Sequence, residues 1–221
     1  MDMDKIRFTD RFEEGLQKMG LSSIEPEKLT KLFLYQEILS KWNQKINLTA
    51  HRVVEISLER NFLDCLPLIP LLSQFKEILD LGSGAGFPGL VVQICLPESK
   101  VILVESDQRK AVFLETVIRE LGLSGGTVEN IFLDQKKVKE MGWSNRYEAL
   151  VSRATIQPEK ILPLVGVCLK SHGYFFAMMN SKDLIETNQF EGAGLFSLER
   201  EIDYRLPFSG LQRKIVIFRK E

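Results

Sequence analysis

The run Asp80-Leu81-Gly82-Ser83-Gly84-Ala85-Gly86-Phe87-Pro88-Gly89 directly follows the short apolar stretch Ile78-Leu79. An apolar strand that runs into alternating glycines and then into a helix near Pro88 is the opening of an α/β unit, because proline suits a first helical turn. Glycine permits sharp backbone turns and places no side chain between main-chain N–H groups and a ligand. The helix N-terminus behind it favours negative charge. The loop is therefore expected to hold a nucleotide-like cofactor.

Two cofactor classes fit the letters. Gly84-Ala85-Gly86-Phe87-Pro88-Gly89 satisfies the dinucleotide pattern G-x-G-x-x-G, but its first glycine lies several residues past the strand end. Read from Asp80, the loop is instead D-x-G-x-G-x-G, with Gly82, Gly84 and Gly86 alternating, as in enzymes that use S-adenosylmethionine. That cofactor has a sulfonium and no pyrophosphate, and an acid at the strand end suits the positive charge. The acidic start favours the methyl donor. A ribose-binding acid is then needed at the tip of the next strand, about 20 residues on. Glu105, after Val101-Ile102-Leu103-Val104, is in that place, where it could also neighbour the cap of the helix starting near Asp107.

The same alternation continues outward. Apolar runs at Ala149-Leu150-Val151 and Tyr174-Phe175-Phe176-Ala177 alternate with helical stretches such as 108–121, which predicts a mainly parallel sheet covered on both faces. Residues 196–205 and 213–218, joined by Pro207-Phe208-Ser209-Gly210, read as an antiparallel pair closing one edge. Before residue 73 the pattern is helical. Leu29, Leu32, Phe33, Tyr35, Gln36, Ile38, Leu39 and Trp42 mark one amphipathic helix opened by Glu25-Pro26. Val53, Val54, Ile56, Leu58, Phe62 and Leu63 mark a second apolar face. The expected organisation is a helical extension over residues 1–72 packed on a core of residues 73–221, together one compact unit.

The 221 residues carry 29 Lys+Arg against 30 Asp+Glu, a net charge of −1, so a nucleic-acid partner must be met by a local basic patch. At 44% hydrophobic and 27% charged the chain is neither disordered nor fibrous. Cys65, Cys95 and Cys168 lack metal-ligand spacing and read as apolar fillers, so no metal centre is expected. Neither a leader peptide nor a membrane span is visible, and a cytoplasmic location is the expectation. His51 and His172 have no partner motif and are read as non-catalytic.

The stretch after the fourth strand narrows the chemistry. It contains neither the [DNS]-P-P-[YFW] motif of exocyclic-amine methyltransferases nor a nucleophilic Cys. Val151-Ser152-Arg153-Ala154-Thr155 offers an arginine instead, which points to an acceptor that is nucleophilic without deprotonation.

Three segments in order, Lys41-Trp42-Asn43-Gln44-Lys45-Ile46-Asn47-Leu48-Thr49, the 80–89 loop and Ser152-Arg153-Ala154, resemble the RsmG (GidB) family, the bacterial guanine-N7 methyltransferases of 16S ribosomal RNA. The resemblance covers roughly residues 25 to 180. It implies a Rossmann-like S-adenosylmethionine-dependent methyltransferase fold, with a mostly parallel seven-stranded sheet, antiparallel C-terminal strands and an N-terminal helical cap. It further implies that Gly82 and Phe87 contact the methyl donor, Glu105 its ribose, Leu133 and Asp134 its adenine, and Arg153 the cofactor or the guanine. Arg109 and Lys110 occupy basic positions facing RNA phosphate, or else form a solvated helix face. Asn47 and Thr49 either touch substrate or cap the next helix. Partners implied are 16S ribosomal RNA or the small-subunit particle, met by a monomer.

Guanine N7 has a lone pair and no proton, so no general base is needed, and Arg153 is assigned to orientation. Phe87 could stack the base or belong to the core. The chain departs from the family where a His becomes Asn61, an Arg becomes Phe132, and a Lys-Gly pair becomes Met179-Asn180. Val128-Glu129-Asn130 also makes a less apolar third strand. Lys136, Lys137 and Lys139 could replace the missing cations. Phe132 and Met179 favour one other class, a non-catalytic RNA-binding or ribosome-assembly factor, and the G-x-G-x-x-G letters leave a third, a nucleotide-dependent oxidoreductase.

Overall fold

The computed structural model describes residues 3–153, 158–181 and 195–221. Its centre is a seven-stranded sheet of β1 (Glu77–Leu81), β2 (Lys100–Val104), β3 (Gly126–Glu129), β4 (Tyr147–Arg153), β5 (Leu169–Asn180), β6 (Phe196–Arg205) and β7 (Gln212–Lys220). The order is β3-β2-β1-β4-β5-β7-β6. The first five strands are parallel, and β7 pairs antiparallel with both β5 and β6. Central strands are apolar at nearly every position because both faces are covered. Ile78, Val101, Ala149 and Val151 pack on one side, and Leu79, Ile102 and Leu150 on the other.

Helices α1 (Met3–Lys18), α2 (Pro26–Asn43), α3 (Val54–Ser57) and α4 (Ile69–Leu72) precede the sheet, and α5 (Gly89–Cys95), α6 (Gln108–Leu121), α7 (Gln135–Glu140) and α8 (Pro158–Cys168) connect its strands. Glu25 and Pro26 open α2 as expected. The helical extension has no separate core. Phe8, Phe12, Leu32 and Phe62 belong to the cluster that holds Ile78, Val101 and Phe113. Phe62 is fully buried, with its ring 5.1 Å from those of Tyr35 and Phe87 and 6.0 Å from that of Phe8.

Three expectations are corrected. The segment after Thr49 is not one amphipathic helix: α3 passes into a π turn (Leu58–Phe62) and then a 3-10 turn (Leu63–Leu68). The wider turn shifts the angular position of each later side chain, and Pro67 has no N–H to continue α-type bonding. Leu58, Phe62 and Leu63 are accordingly buried, whereas Val53, Val54 and Ile56 are exposed. Strand β5 begins at Leu169 rather than Tyr174 and carries Met178 and Met179 within it. Strand β3 stops at Glu129, and Asn130 leaves it to donate from Nδ2 to the carbonyl of Glu105 at 2.8 Å.

Phe62→Ala removes the ring that joins the cap to the glycine loop, and should lower unfolding free energy by about 3–5 kcal/mol. Urea titration checks this; a loss under roughly 1 kcal/mol, the scale of a surface substitution, would contradict it.

Candidate functional site

After β1 the chain builds β2 and β3 on one side and later β4 and β5 on the other, so the carboxyl ends of β1 and β4 flank the point where strand order reverses. Ligands of open α/β sheets bind in such crevices. The Ser152 hydroxyl donates to the Leu81 carbonyl at 3.0 Å and ties the two tips together.

Gly82, Gly84 and Gly86 all have positive φ, at 72°, 57° and 87°. A Cβ on Gly82 would meet nothing within 4 Å, and one on Gly84 only a backbone oxygen at 3.9 Å. These two residues therefore present bare backbone to open space. Gly86 is different, since a Cβ there would overlap Leu90 and the Tyr35 hydroxyl. The expected N–H cradle is not formed. Gly82 and Ser83 both donate to the Val104 carbonyl at 3.0 Å, Gly84 donates to Glu105 Oε2 at 2.8 Å, and Gly86 donates to the Ser83 carbonyl at 2.7 Å. A pyrophosphate needs free N–H donors. A loop whose glycine donors are already engaged suits a ligand gripped by shape and by an acid.

The two acids divide their work differently from the expectation. Asp80 is fully buried, and its Oδ2 accepts from Gly89 N at 3.0 Å while Oδ1 has no partner. A Cβ on Gly89 would fall on that Oδ2, which explains the glycine. Burial pushes the Asp80 carboxyl up to about 7, against the lowering effect of its hydrogen bonds with Ser83 and Gly89. Asp80 therefore pins the loop to α5 and does not reach a bound cation. Glu105, 8% exposed, accepts from Gly84 N through Oε2 and from Asp107 N through Oε1, each at 2.8 Å. Each oxygen retains a second lone pair, the number a ribose diol requires, so the residues at this edge fit S-adenosylmethionine. The cap of α6 is Asp107, which accepts from Arg109 N at 2.8 Å and Lys110 N at 3.4 Å.

On the far side of Glu105, Leu133 is half-buried and Asp134 is exposed, with its Oδ1 capping α7 through Lys137 N at 2.7 Å. Phe132 beside them is 79% exposed. Lys136 and Lys137 lie on α7 within 3.8 and 3.4 Å of Glu140, as ordinary surface pairs.

The expected RNA-facing residues fall in two places. Asn47, Arg109 and Lys110 line one depression with Lys45 and Asp107. Thr49 lines another, with Arg153. Asn43, which the sequence motif contains without a stated role, shapes the loop between them: its Oδ1 accepts from Leu48 N and Thr49 N, and its Nδ2 donates to the Thr49 carbonyl.

Phe87 is a core residue, 3% exposed, and a base-stacking role for its ring is set aside. Tyr35 stacks on it at 5.2 Å, and the Arg153 guanidinium lies 5.0 Å from its centroid. The Tyr35 hydroxyl donates to the Ala85 carbonyl. Arg153 in turn donates to the Arg60 carbonyl at 3.0 Å and to Asn61 Oδ1 at 3.3 Å, so the Asn that replaces a His acts as an acceptor for this guanidinium. Ala154 and Thr155 lie outside the described residues.

Asp64, Tyr204 and Arg213, to which the sequence assigns no role, complete this second cleft with His51. Asp64 Oδ1 accepts from the Tyr204 hydroxyl at 2.8 Å and lies 3.5 Å from Arg213 Nε. Burial raises the Asp64 carboxyl, opposed by Arg153 and Arg213. His51 lines the same cleft, its imidazole pulled below the usual range by burial and then by Arg60, Arg153 and Arg213. Among the described residues no group of three or more His, Cys, Asp or Glu could hold a metal ion, and no helix is long and apolar enough to cross a membrane. The three cysteines are buried, and burial pushes Cys95 and Cys168 up to about 12.

Residues 28–216 match the family model GidB, rRNA small subunit methyltransferase G. Curated proteins named ribosomal RNA small subunit methyltransferase G are similar over nearly the whole chain. The Myxococcus xanthus protein is 32% identical, with 99% of this chain and 100% of that one covered. The Nitrosomonas europaea protein is 35% identical, with 95% and 96% covered. Among solved structures, a SAM dependent methyltransferase from Aquifex aeolicus aligns with a TM-score of 0.51 at 17% identity, covering 70% of this chain and 96% of that one. TYW2 from M. jannaschii in complex with AdoMet aligns with a TM-score of 0.53 at 13% identity, covering 80% and 78%. These two likenesses concern the fold.

Ionisation of Asp80 is opposed in the folded chain but not in the unfolded one, where its value is 3.8. The folded state thus binds the extra proton, and stability should decline as pH rises from about 4 to about 7, then level off. Asp80→Asn removes that dependence. In urea titrations at pH 5 and pH 8, the unfolding free energy of the original chain minus that of the variant should be smaller at pH 8. An equal difference at both would contradict the assignment.

Proposed function

The chain belongs to the GidB family, rRNA small subunit methyltransferase G, and from that premise we propose that it transfers a methyl group from S-adenosylmethionine to N7 of a guanine in 16S ribosomal RNA. The observation that carries the reading is the pairing of an open Gly82–Gly84 backbone with the carboxylate of Glu105 at the tips of neighbouring strands. Bound there, S-adenosylmethionine supplies a methyl group made electrophilic by its sulfonium. Gly82 and Gly84 give room for the amino-acid part, Glu105 accepts from the ribose hydroxyls, and Leu133 and Asp134 adjoin the adenine. Gly86 and Phe87 act from beneath, by holding the loop against Tyr35.

Because N7 carries a lone pair and no proton, the chain needs to orient the guanine rather than deprotonate it. Arg153 is fixed for that task by Phe87, the Arg60 carbonyl and Asn61. Arg109 and Lys110, with Asn47 beside them and Thr49 in the adjoining cleft, form the RNA face. These local cations are the means by which a chain of net charge −1 meets a polyanion. The substrate is free RNA or the assembling small-subunit particle, met by a monomer in the cytoplasm. Exposed Phe132, where the family resemblance places an Arg, favours one second reading, a non-catalytic assembly factor with the same fold. Under it, Glu105→Ala would keep the cellular role while losing the cofactor.

Incubation with methyl-labelled S-adenosylmethionine and unmodified 16S RNA or small-subunit particles should yield labelled 7-methylguanosine by nucleoside mass analysis. Label absent, or on another nucleoside, would refute the proposal. Arg153→Lys keeps the charge but not the two-point hold, and should slow single-turnover transfer by roughly tenfold to a hundredfold. An unchanged rate would remove Arg153 from the mechanism.

A further inference from the structure

The cleft beside the cofactor edge has a volume of about 290 Å³ and is walled by segments distant in sequence. The π turn brings Arg60, the 3-10 turn Asp64, the tip of β4 Arg153, and the β6–β7 hairpin Tyr204 and Arg213. Of the ionisable side chains that line it, three guanidinium groups face one carboxylate. Asp64 pairs with Arg213, and among the described residues no ion pair joins Arg60 or Arg153 to an acid. Glu59, in the same π turn, is engaged elsewhere, accepting from Phe208 N and Ser209 N at 2.7 Å. Arg60 Nε is buried without a partner. The cations are also placed rather than floppy: the Arg213 side chain is 17% exposed, and Asp64, itself held by the Tyr204 hydroxyl, fixes it.

Concentrated positive charge opposes a base that becomes cationic on methylation, and favours an anion. Resting on the methyl-transfer reading above, we infer that this cleft is the seat of an RNA backbone phosphodiester next to the target nucleotide, with Arg213 and Arg60 as its ligands and Asp64 and Tyr204 as positioning residues. The seat lets the guanine be aligned from its own backbone while N7 stays clear of the guanidinium groups. Arginine suits the task because its planar fork matches a phosphate's oxygens.

The other anion available to the site is the carboxylate of the cofactor, and one set of titrations separates the two. The original chain, Arg213→Gln, Arg213→Lys and Arg60→Gln are each titrated with unmodified 16S ribosomal RNA at several salt concentrations, and with S-adenosylhomocysteine. For either Gln variant the RNA affinity should fall roughly tenfold, and the slope of log affinity against log salt should fall by about one. Arg213→Lys should restore the slope, and S-adenosylhomocysteine affinity should stay within about twofold throughout. Arg60→Gln carries the test alone if Arg213→Gln does not fold, because Arg60 holds no ion pair with Asp64. A parallel loss of S-adenosylhomocysteine affinity would assign the seat to the cofactor and overturn the inference. So would an unchanged RNA affinity and slope in a chain that still methylates RNA. Failure of the original chain to methylate 16S RNA at all would instead remove the underlying reading.

Discussion

The carboxylate of Glu105 accepts one hydrogen bond from the glycine loop, at Gly84 N, and one from the start of the next connection, at Asp107 N. Those two contacts join the tips of β1 and β2 across the edge where a ligand sits. They use one lone pair on each oxygen, and a diol can take the others. Asp80 supplies the complementary constraint from below, tying the far end of the same loop to Gly89 at the head of α5. With both ends of the loop held by acids and its glycine donors already engaged, its open face offers shape and a carboxylate rather than an anion nest. The discrimination between a sulfonium nucleoside and a pyrophosphate dinucleotide follows from that distribution of hydrogen bonds.

The cap is part of the site rather than an accessory to it. Tyr35 on α2 stacks on Phe87 and donates to the Ala85 carbonyl, so the glycine loop rests on an N-terminal helix. Phe87 then lies against Arg153. The C-terminal hairpin closes the other wall, with Tyr204 reaching Asp64 and the turn at Phe208 and Ser209 donating to Glu59. The second cleft therefore exists only when both ends of the chain are docked on the sheet, which couples its geometry to global folding.

Much of this was legible because it is encoded locally. Continuous apolar runs, Glu25-Pro26, the glycine loop and the strand-end Glu105 each rest on residues within a few positions of one another. Glycine spacing shows where the backbone is open but not where its N–H groups point, and Val104 and Glu105, not a ligand, take the donors of Gly82 and Gly84. Phe87 was ambiguous for a similar reason: a ring next to a ligand loop reads as a stacking floor until Tyr35, some fifty positions away, is seen to cover it. Arg60 and Asp64 are near neighbours in the chain, yet Tyr204 and Arg213 meet them only through the sheet order. The π and 3-10 turns were illegible because a change in residues per turn leaves composition untouched while turning Phe62 and Leu63 onto a different face from Val53, Val54 and Ile56.

Calorimetric titration with S-adenosylhomocysteine and, separately, with NAD addresses the strand-tip grip most directly. One-to-one binding of the sulfur nucleoside is expected, lost in Glu105→Ala, with no heat from the dinucleotide. Binding of NAD in its place, or adduct binding that survives loss of the Glu105 carboxylate undiminished, would contradict it.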